Sequence, residues 1–155
     1  MSSEIRSSVK EDIQGIKEVL DSSELFPSEY LDEMISEFFE NPECGEIWFS
    51  NISDSKVLGF GYCIPEKLTE GTYNLLAIAM RKELQGQSGG IKMIDYVEKL
   101  LSQKGHRILI VETSSDAQFE LTRKFYEQLG YLKEAVIRDF WAEGVDKVVF
   151  WKKLK

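Results

Sequence analysis

The 155-residue sequence is poor in the residues that build metal centres and disulfide frameworks. It has two cysteines, Cys44 and Cys63, and one histidine, His106. The cysteines lack a C-x-x-C spacing and one histidine leaves too few soft ligands for zinc, so we predict two free thiols and no metal site. A covalent route through a thiol is also disfavoured, because only His106 is available to activate a cysteine.

The sequence also lacks long apolar runs, signal-peptide features and an excess of positive charge. Its longest purely apolar run, residues 75–80, is far short of the ~20 residues that cross a bilayer. Its N-terminus lacks the basic region and the apolar region that a signal peptide requires. A net charge of −8 disfavours nonspecific binding of nucleic acid, which depends on basic side chains that neutralise the phosphates. We therefore expect a cytoplasmic protein with no membrane and no nucleic-acid partner.

No repeat or Pro/Gly-rich linker divides the chain, which predicts a single domain over residues 1–155. Its charge is unevenly distributed. Residues 1–55 carry 14 acidic against 3 basic side chains, and residues 56–155 carry 13 against 16. Two interpretations stay open: solvated acidic helix faces, or an acidic half that faces a cationic substrate and a basic half that faces an anionic one.

Hydrophobic periodicity predicts four helices and seven strands in the order βααβββαβαββ. A strand near Ile5 is followed by a capping box at Ser8 and Glu11 and by a helix to about Leu20. An amphipathic stripe predicts the second helix, with Leu31, Met34, Ile35, Phe38 and Phe39 on one face. The later strands are predicted at residues 46–52, 56–64, 72–80, 108–113, 135–141 and 147–154.

The strand–helix–strand unit over residues 72–113 must cross over, so its two strands should pair in parallel. The other connections between strands are short and favour antiparallel pairing. We therefore predict an α/β fold with a mixed central sheet of about seven strands and helices on both faces.

A glycine-rich loop at residues 81–90 connects an apolar strand to an amphipathic helix. Its glycines and Ser88 let the backbone N–H groups converge where the helix N-terminus adds positive potential, a geometry that binds phosphate. The dinucleotide and P-loop fingerprints do not match. Arg81, Lys82 and Lys92 are close enough in sequence to add charge. The alternative is a merely flexible connection.

Two segments make the chain resemble the GNAT family of N-acetyltransferases. Residues 85–90, QGQSGG, are similar to the family's acetyl-coenzyme A (acetyl-CoA) loop, Q/R-x-x-G-x-G/A, with Ser88 in place of the middle glycine. Residues 125–131, FYEQLGY, are similar to the family segment F-Y-x-x-L-G-F/Y about 40 residues later. The resemblance implies an acetyl-CoA-dependent N-acetyltransferase, in which a primary amine attacks the thioester directly through a tetrahedral intermediate.

The resemblance also implies roles for particular residues. Tyr126 matches the family tyrosine that protonates the leaving thiolate. The family uses a carboxylate base at positions that differ among members, and Glu112 is the first candidate because it lies at the carboxyl end of the apolar strand 108–111, where α/β sheets bind ligands, with Asp139 as runner-up. The alternatives are a buried aromatic residue at Tyr126 and a salt-bridged carboxylate at Glu112. The residues expected to hold the cofactor are Ile78, Ala79, Met80, Gln85, Gly86, Gln87, Ser88, Gly89, Gly90 and Ser114.

The acceptor is expected to be a small cationic amine or a peptide amine, because carboxylates and aromatic rings both attract ammonium groups. Asp139, Trp141 and Tyr30 are the predicted substrate-binding residues. Exposed aromatic residues such as Trp48, Trp141 and Trp151 would support a homodimer. The alternative function is a catalytically silent module that binds coenzyme A (CoA) or a partner.

Overall fold

The computed structural model describes residues 3–154 and has its helices and strands in the predicted order. The strands are β1 (Glu4–Ser7), β2 (Ile47–Ser53), β3 (Lys56–Pro65), β4 (Thr72–Met80), β5 (Ile108–Ser114), β6 (Leu132–Ala142) and β7 (Val145–Lys153). The helices are α1 (Ile13–Ser23), α2 (Leu31–Glu40), α3 (Gly89–Gln103) and α4 (Glu120–Gln128). No helix within residues 3–154 is long and apolar enough to span a bilayer.

The seven strands form one mixed sheet in the order β1-β2-β3-β4-β5-β7-β6. All neighbouring strands are antiparallel except β4 and β5, which pair in parallel. The predicted sheet and its parallel crossover are therefore confirmed. Because β6 is last in the order, the final hairpin ends the sheet at an edge.

Two hydrophobic clusters cover the two faces of the sheet. Met93 and Val97 of α3 and Tyr126 of α4 pack on one face, whereas Ile16 of α1 and Leu31 of α2 pack on the other. Helices on both faces are confirmed. Because the sheet separates the two clusters, a ligand that contacts both faces must pass through or around it.

Trp48 differs from the prediction that it is an exposed aromatic residue. It is fully buried in the α1/α2 cluster and stacks on Tyr62 with ring centroids 4.0 Å apart. Its position on β2, an interior strand that α1 and α2 cover, explains this burial. The prediction that Trp48 contributes to a dimer surface is therefore wrong.

The start of the first helix also differs from the prediction. A 3-10 turn at Lys10–Asp12 precedes α1, and Val9 takes the N-cap position. The Asp12 carboxylate accepts hydrogen bonds from the Val9 N–H group at 3.0 Å and from the Arg6 guanidinium at 2.7 Å. The Ser8 hydroxyl bonds Ser50 instead. The predicted capping box at Ser8 and Glu11 is wrong because the partly buried Arg6–Asp12 ion pair organises this turn.

β4 changes neighbours along its length. Its parallel pairing with β5 extends only from Thr72 opposite Ile108 to Leu75 opposite Val111. At that point a β-bulge at Leu76 shifts its register against β3. Beyond the bulge β4 pairs with β3 alone. The carboxyl ends of β4 and β5 therefore part, and an opening forms between two central strands.

Candidate active site

The parted end of β4 lines a cavity of about 530 Å³. The loop after β4 and the first turn of α3 form one side of the cavity, and α4 forms the other. Eight of the ten predicted cofactor-binding residues line it: Ile78, Ala79, Met80, Gln85, Gly86, Gln87, Ser88 and Gly90. Of the other two, Gly89 lines an adjacent cavity, and the Ser114 hydroxyl accepts a hydrogen bond from the Asp116 N–H group at 3.0 Å.

The loop favours glycine at Gly86 for its backbone conformation and at Gly89 for its close packing. Gly86 has φ +84°, which disfavours any residue with a Cβ atom. A Cβ atom on Gly89 would overlap the side chain of Met80. Ser88 also lies in the left-handed region, at φ +47°, although it is not glycine. Ser88 therefore adopts a left-handed backbone conformation, typical of glycine, at the position where the family motif has glycine.

The first turn of α3 supplies the positive end of a 15-residue helix. The Gly89 N–H group bonds the Gln87 carbonyl, whereas those of Gly90 and Ile91 have no helical partner and can bind an anion. Lys92 lines the adjacent cavity together with Gly86 and Ser88. The prediction that Arg81 adds charge here is wrong, because Arg81 is buried and bonds Glu18 at 2.9 Å.

Tyr126 lines the cavity from α4 and is 3% exposed. Its ring packs against Phe125, Tyr131 and Phe150, with centroids 5.3 to 5.8 Å away. Burial, with a smaller contribution from Cys63, raises the pKa of the Tyr126 hydroxyl above its usual value near 10. The hydroxyl therefore keeps its proton at neutral and mildly alkaline pH, as a general acid must.

Residues of the cavity wall that sequence analysis missed are mainly apolar. Leu25, Ile91 and Leu121 line the cavity although their side chains are exposed, Leu121 by 79%. The sequence signal that could have identified Leu121 is a leucine on the exposed face of an amphipathic helix. Ser23 also lines the cavity, and its Oγ atom is buried without a hydrogen-bond partner among the described residues.

Glu112 lies on β5, outside the residues that line the cavity. Its neighbour Val111 belongs with Tyr126 to the cluster on the α3/α4 face, so the Glu112 side chain points to the opposite face. The Glu112 Oε2 atom lies 2.7 Å from the Nζ atom of Lys147, and both side chains are largely buried. Glu112 is therefore an ion-paired carboxylate at the end of the strand next to the opening.

The final hairpin completes a cluster around this ion pair. The Lys147 ammonium lies 4.2 Å from the centroid of the Phe140 ring. Trp141 packs edge-on against Phe140 and donates a hydrogen bond from Nε1 to the Thr113 carbonyl at 3.2 Å. We call Glu112, Phe140, Trp141 and Lys147 the Lys147 cluster. In it a carboxylate and an aromatic ring hold an ammonium group.

The two other predicted substrate-binding residues have different surroundings. The Asp139 carboxylate accepts the Gly144 N–H group at 2.9 Å, and the Asp139 N–H group donates to Asp146 at 2.9 Å. Asp139 thus closes the hairpin turn. Tyr30 ends a 3-10 turn before α2 and is 55% exposed. Within residues 3–154, no three His, Cys, Asp or Glu side chains are grouped so as to hold a metal ion.

Comparisons with known proteins agree with this architecture. The model of the acetyltransferase (GNAT) family matches residues 14–131. A Desulfovibrio desulfuricans protein assigned to the GNAT family superimposes with a TM-score of 0.93 at 26% identity, covering 99% of this chain and 100% of that one. No protein of curated function matches the chain.

More distant solved structures share the fold. An aminoglycoside 6'-N-acetyltransferase in complex with CoA superimposes with a TM-score of 0.79 at 17% identity, over 98% of this chain and 97% of that one. The ribosomal-protein-S18-alanine N-acetyltransferase from Escherichia coli has a TM-score of 0.79 at 16% identity, over 99% and 95%. The chain therefore belongs to the acetyltransferase (GNAT) family, and the family, fold and acetyltransferase class predicted from the sequence are confirmed.

Proposed function

We propose that this protein transfers the acetyl group of acetyl-CoA directly to a primary amine. The observation that carries the proposal is the opening after Leu75 and Val111. It lies between the cavity that contains Tyr126 and the opposite face, which contains Glu112. A thioester in this opening would have a proton donor on one side and a carboxylate on the other, as direct acyl transfer needs.

The cavity suits the shape and charge of CoA. The loop and the first turn of α3 would bind the pyrophosphate through backbone N–H groups. Gly89 has no side chain, so the first turn of α3 packs closely on Met80 at the end of β4. Beyond the bulge, the backbone groups of β4 that face away from β3 would hydrogen-bond the pantetheine amides. Leu121 and Ile91 offer apolar surface to the same ligand.

The chain's own groups then supply the chemistry. Glu112 accepts a proton from the acceptor ammonium, and the free amine attacks the thioester carbon. A backbone N–H group among residues 78–80 donates to the oxygen that gains negative charge. The carbon–sulfur bond breaks, and Tyr126 protonates the departing thiolate. As the amide forms, the nitrogen gives its second proton through solvent to the Tyr126 phenolate, which restores the hydroxyl. The amine attacks the thioester itself, so no covalent enzyme intermediate forms.

The acceptor that suits this site is a cationic amine with an apolar body. The Lys147 cluster already holds one ammonium, that of Lys147, between a carboxylate and an aromatic ring. The two distant structural neighbours act on an aminoglycoside and on a ribosomal-protein alanine, both amine acceptors. Roles for Asp139 and Tyr30 in binding the acceptor, and a cytoplasmic location, stay predictions.

The first test is thermal unfolding in the presence of CoA, acetyl-CoA and a dinucleotide control. Ligand at 100 times its dissociation constant stabilises by ~2.7 kcal/mol, roughly 5 to 10 °C for a domain of this size. We expect this shift with both CoA forms and not with the dinucleotide. The absence of a shift at millimolar CoA would contradict the cofactor assignment.

Turnover distinguishes the enzyme from a silent binding module. Thiol release from acetyl-CoA is followed with a panel of cationic, neutral and anionic amines. We expect acetylation of cationic amines, detected by mass spectrometry of the product. A thermal shift without release of thiol from any amine would favour the binding module, and a preference for anionic amines would contradict the proposed acceptor class.

A further inference from the structure

Lys147 has the least exposed side chain of the lysines that form ion pairs within residues 3–154. Its side chain is 12% exposed, whereas the exposures of the others range from 27% to 70%. Its neighbour Val148 belongs to the cluster on the α3/α4 face, so Lys147 points to the opposite face, as Glu112 does. A buried ion pair adds little net stability. The burial of this amine beside the proposed base therefore needs a functional explanation.

The Lys147 amine lies close to the opening between β4 and β5. The last pair between these strands is Leu75 opposite Val111. Glu112 is the next residue of β5 and is therefore the first to border the opening. Its Oε2 atom lies 2.7 Å from the Nζ atom of Lys147. The amine is thus only one side chain away from the place where the proposed function puts the thioester.

Lys147 also has the chemistry of the proposed acceptor. It is a primary amine on an apolar stem, and the Phe140 ring and the Glu112 carboxylate hold its ammonium in one position. An amine that the fold already holds beside the base reacts without the entropy loss of binding from solution. We propose that Lys147 is itself an acceptor and that the protein acetylates its Nζ atom intramolecularly. This inference rests on the proposed function, because it uses the same thioester, base and acid.

The transfer to Lys147 follows the same steps as transfer to a free amine. Glu112 takes one proton from the ammonium, and the lone pair of Nζ forms a bond to the thioester carbon. The carbon–sulfur bond breaks with its electron pair on sulfur, which takes the proton of Tyr126. The nitrogen then gives its second proton through solvent to the Tyr126 phenolate, and Glu112 releases the first to solvent. Acetyl-CoA and a lysine ammonium thus become acetyl-lysine, CoA and one proton.

The modification changes the charge around the proposed base. The product amide is neutral, so the ion pair with Glu112 and the attraction of the ammonium to the Phe140 ring are both lost. The carboxylate then has no lysine partner and can receive the ammonium of a free acceptor. Because each chain has one Lys147, the reaction stops at one acetyl group per chain.

The test is incubation of the protein with acetyl-CoA, followed by intact mass and peptide mapping. We expect one acetyl group per chain, on Lys147, with a rate constant that stays within about twofold on tenfold dilution of the protein, because the transfer is intramolecular. Glu112→Gln should lower this rate about 100-fold or more. Lys147→Arg keeps a cation but cannot be acetylated in this way, so it should incorporate less than about a tenth as much acetyl.

Lys152 is the matched control within the same chain. It also pairs with a carboxylate, that of Glu98 at 3.1 Å, and its side chain is 29% exposed. It lies opposite Leu109, where β4 and β5 are still paired, so no opening adjoins it. Acetylation by simple chemical reaction from solution would modify Lys152 and the more exposed lysines before Lys147. Glu98→Gln should leave the acetylation of Lys147 unchanged.

Circular dichroism checks that every variant keeps its fold. Acetyl groups spread over exposed lysines, a rate constant that falls with dilution of the protein, or an unchanged rate in Glu112→Gln would each overturn the proposal. Transfer to an added amine with Lys147 unmodified would overturn it and leave the proposed function in place. Binding of CoA without transfer to Lys147 or to any amine would contradict both.

Discussion

Lys147 holds its ammonium 2.7 Å from the carboxylate of Glu112, and both side chains are largely buried. The proposed base is therefore paired with a cation before any acceptor binds. An incoming ammonium must share Glu112 with Lys147 or displace it. The Phe140 ring, 4.2 Å from the Lys147 Nζ atom, offers a second place for a cation. The two cations can be accommodated if one lies on the ring and the other on the carboxylate.

Replacing this carboxylate tests its role as the base. Glu112→Gln should lower kcat about 100-fold or more and leave the affinity for acetyl-CoA unchanged, because a general base contributes 10²–10⁴-fold. Glu98→Gln is a matched control, since Glu98 is also a partly buried carboxylate paired with a lysine, Lys152, at 3.1 Å. Steady-state thiol release measures both. Equal kcat values for the two variants would mean that the base lies elsewhere.

The buried hydroxyl of Tyr126 makes a separate prediction. Tyr126→Phe should lower kcat roughly 100-fold with little change in the KM for acetyl-CoA, since it removes a proton donor and keeps the ring. Because the pKa of Tyr126 is raised, its activity as an acid should persist in the unchanged protein up to about pH 10. If the rate decreases at a pH well below 10 because an essential acid loses its proton, Tyr126 is not that acid.

Tyr73→Phe provides the control for this substitution. Tyr73 is another buried tyrosine of the α3/α4 face, and its hydroxyl donates to the Gly45 carbonyl at 2.8 Å, outside the cavity. Its loss should lower the free energy of unfolding by about 1 kcal/mol and leave kcat unchanged. If both tyrosine variants lose activity equally, general destabilisation is the cause.

The conformation of Ser88 predicts the effect of restoring glycine. A residue with a Cβ atom in the left-handed region costs roughly 1 kcal/mol, which glycine avoids. The strain is present without ligand, so Ser88→Gly should raise the free energy of unfolding by up to about 1 kcal/mol and leave the affinity for CoA within about threefold in calorimetric titration. Gly86→Ser makes the reverse change at φ +84° and should weaken binding about tenfold. If Ser88→Gly weakens binding instead, the hydroxyl itself contacts the phosphate.

The Asp12 ion pair predicts a pH dependence of stability. Burial alone would raise the pKa of Asp12, but hydrogen bonds from Arg6, the Val9 N–H group and Ser50 outweigh it and lower the pKa. This stabilisation is present above the pKa of the unfolded chain and is lost as the pH falls through the lower folded value. Asp12→Asn should reduce the free energy of unfolding by about 3 kcal/mol at pH 7.

Urea unfolding at a series of pH values measures this loss. The difference between the unchanged protein and Asp12→Asn should shrink as the pH falls below about 3.9, the pKa of an unperturbed Asp. Asp32→Asn removes an exposed partner of Lys17 and should cost less than about 1 kcal/mol. A difference at Asp12 that does not vary with pH would show that packing, rather than charge, accounts for its effect.

Much of the fold was predictable because hydrophobic periodicity follows burial directly. The apolar stripe from Leu31 to Phe39 predicted α2. The crossover that joins β4 to β5 predicted their parallel pairing. The cofactor loop was predictable because its motif is contiguous. The bulge at Leu76 was not, since a register shift depends on how β3 and β5 compete for β4.

The surroundings of single residues were harder to predict. Glu112 was identified from its place at the end of an apolar strand, but its partner Lys147 lies 35 positions later and is set by strand register. Asp139 was expected to face a substrate, yet its carboxylate bonds Gly144 in the hairpin. Such partners follow from tertiary contacts that no local pattern contains.

The bulge at Leu76 has a further consequence for the motions of the sheet. Beyond it, the amides of β4 that would have bonded β5 are left without a strand partner in the described chain. Hydrogen exchange should therefore be faster there than at Tyr73–Leu75, where both neighbours are in place. The sheet has a weakly protected seam at its centre, and a cosubstrate bound in it would act as an additional strand that slows local opening.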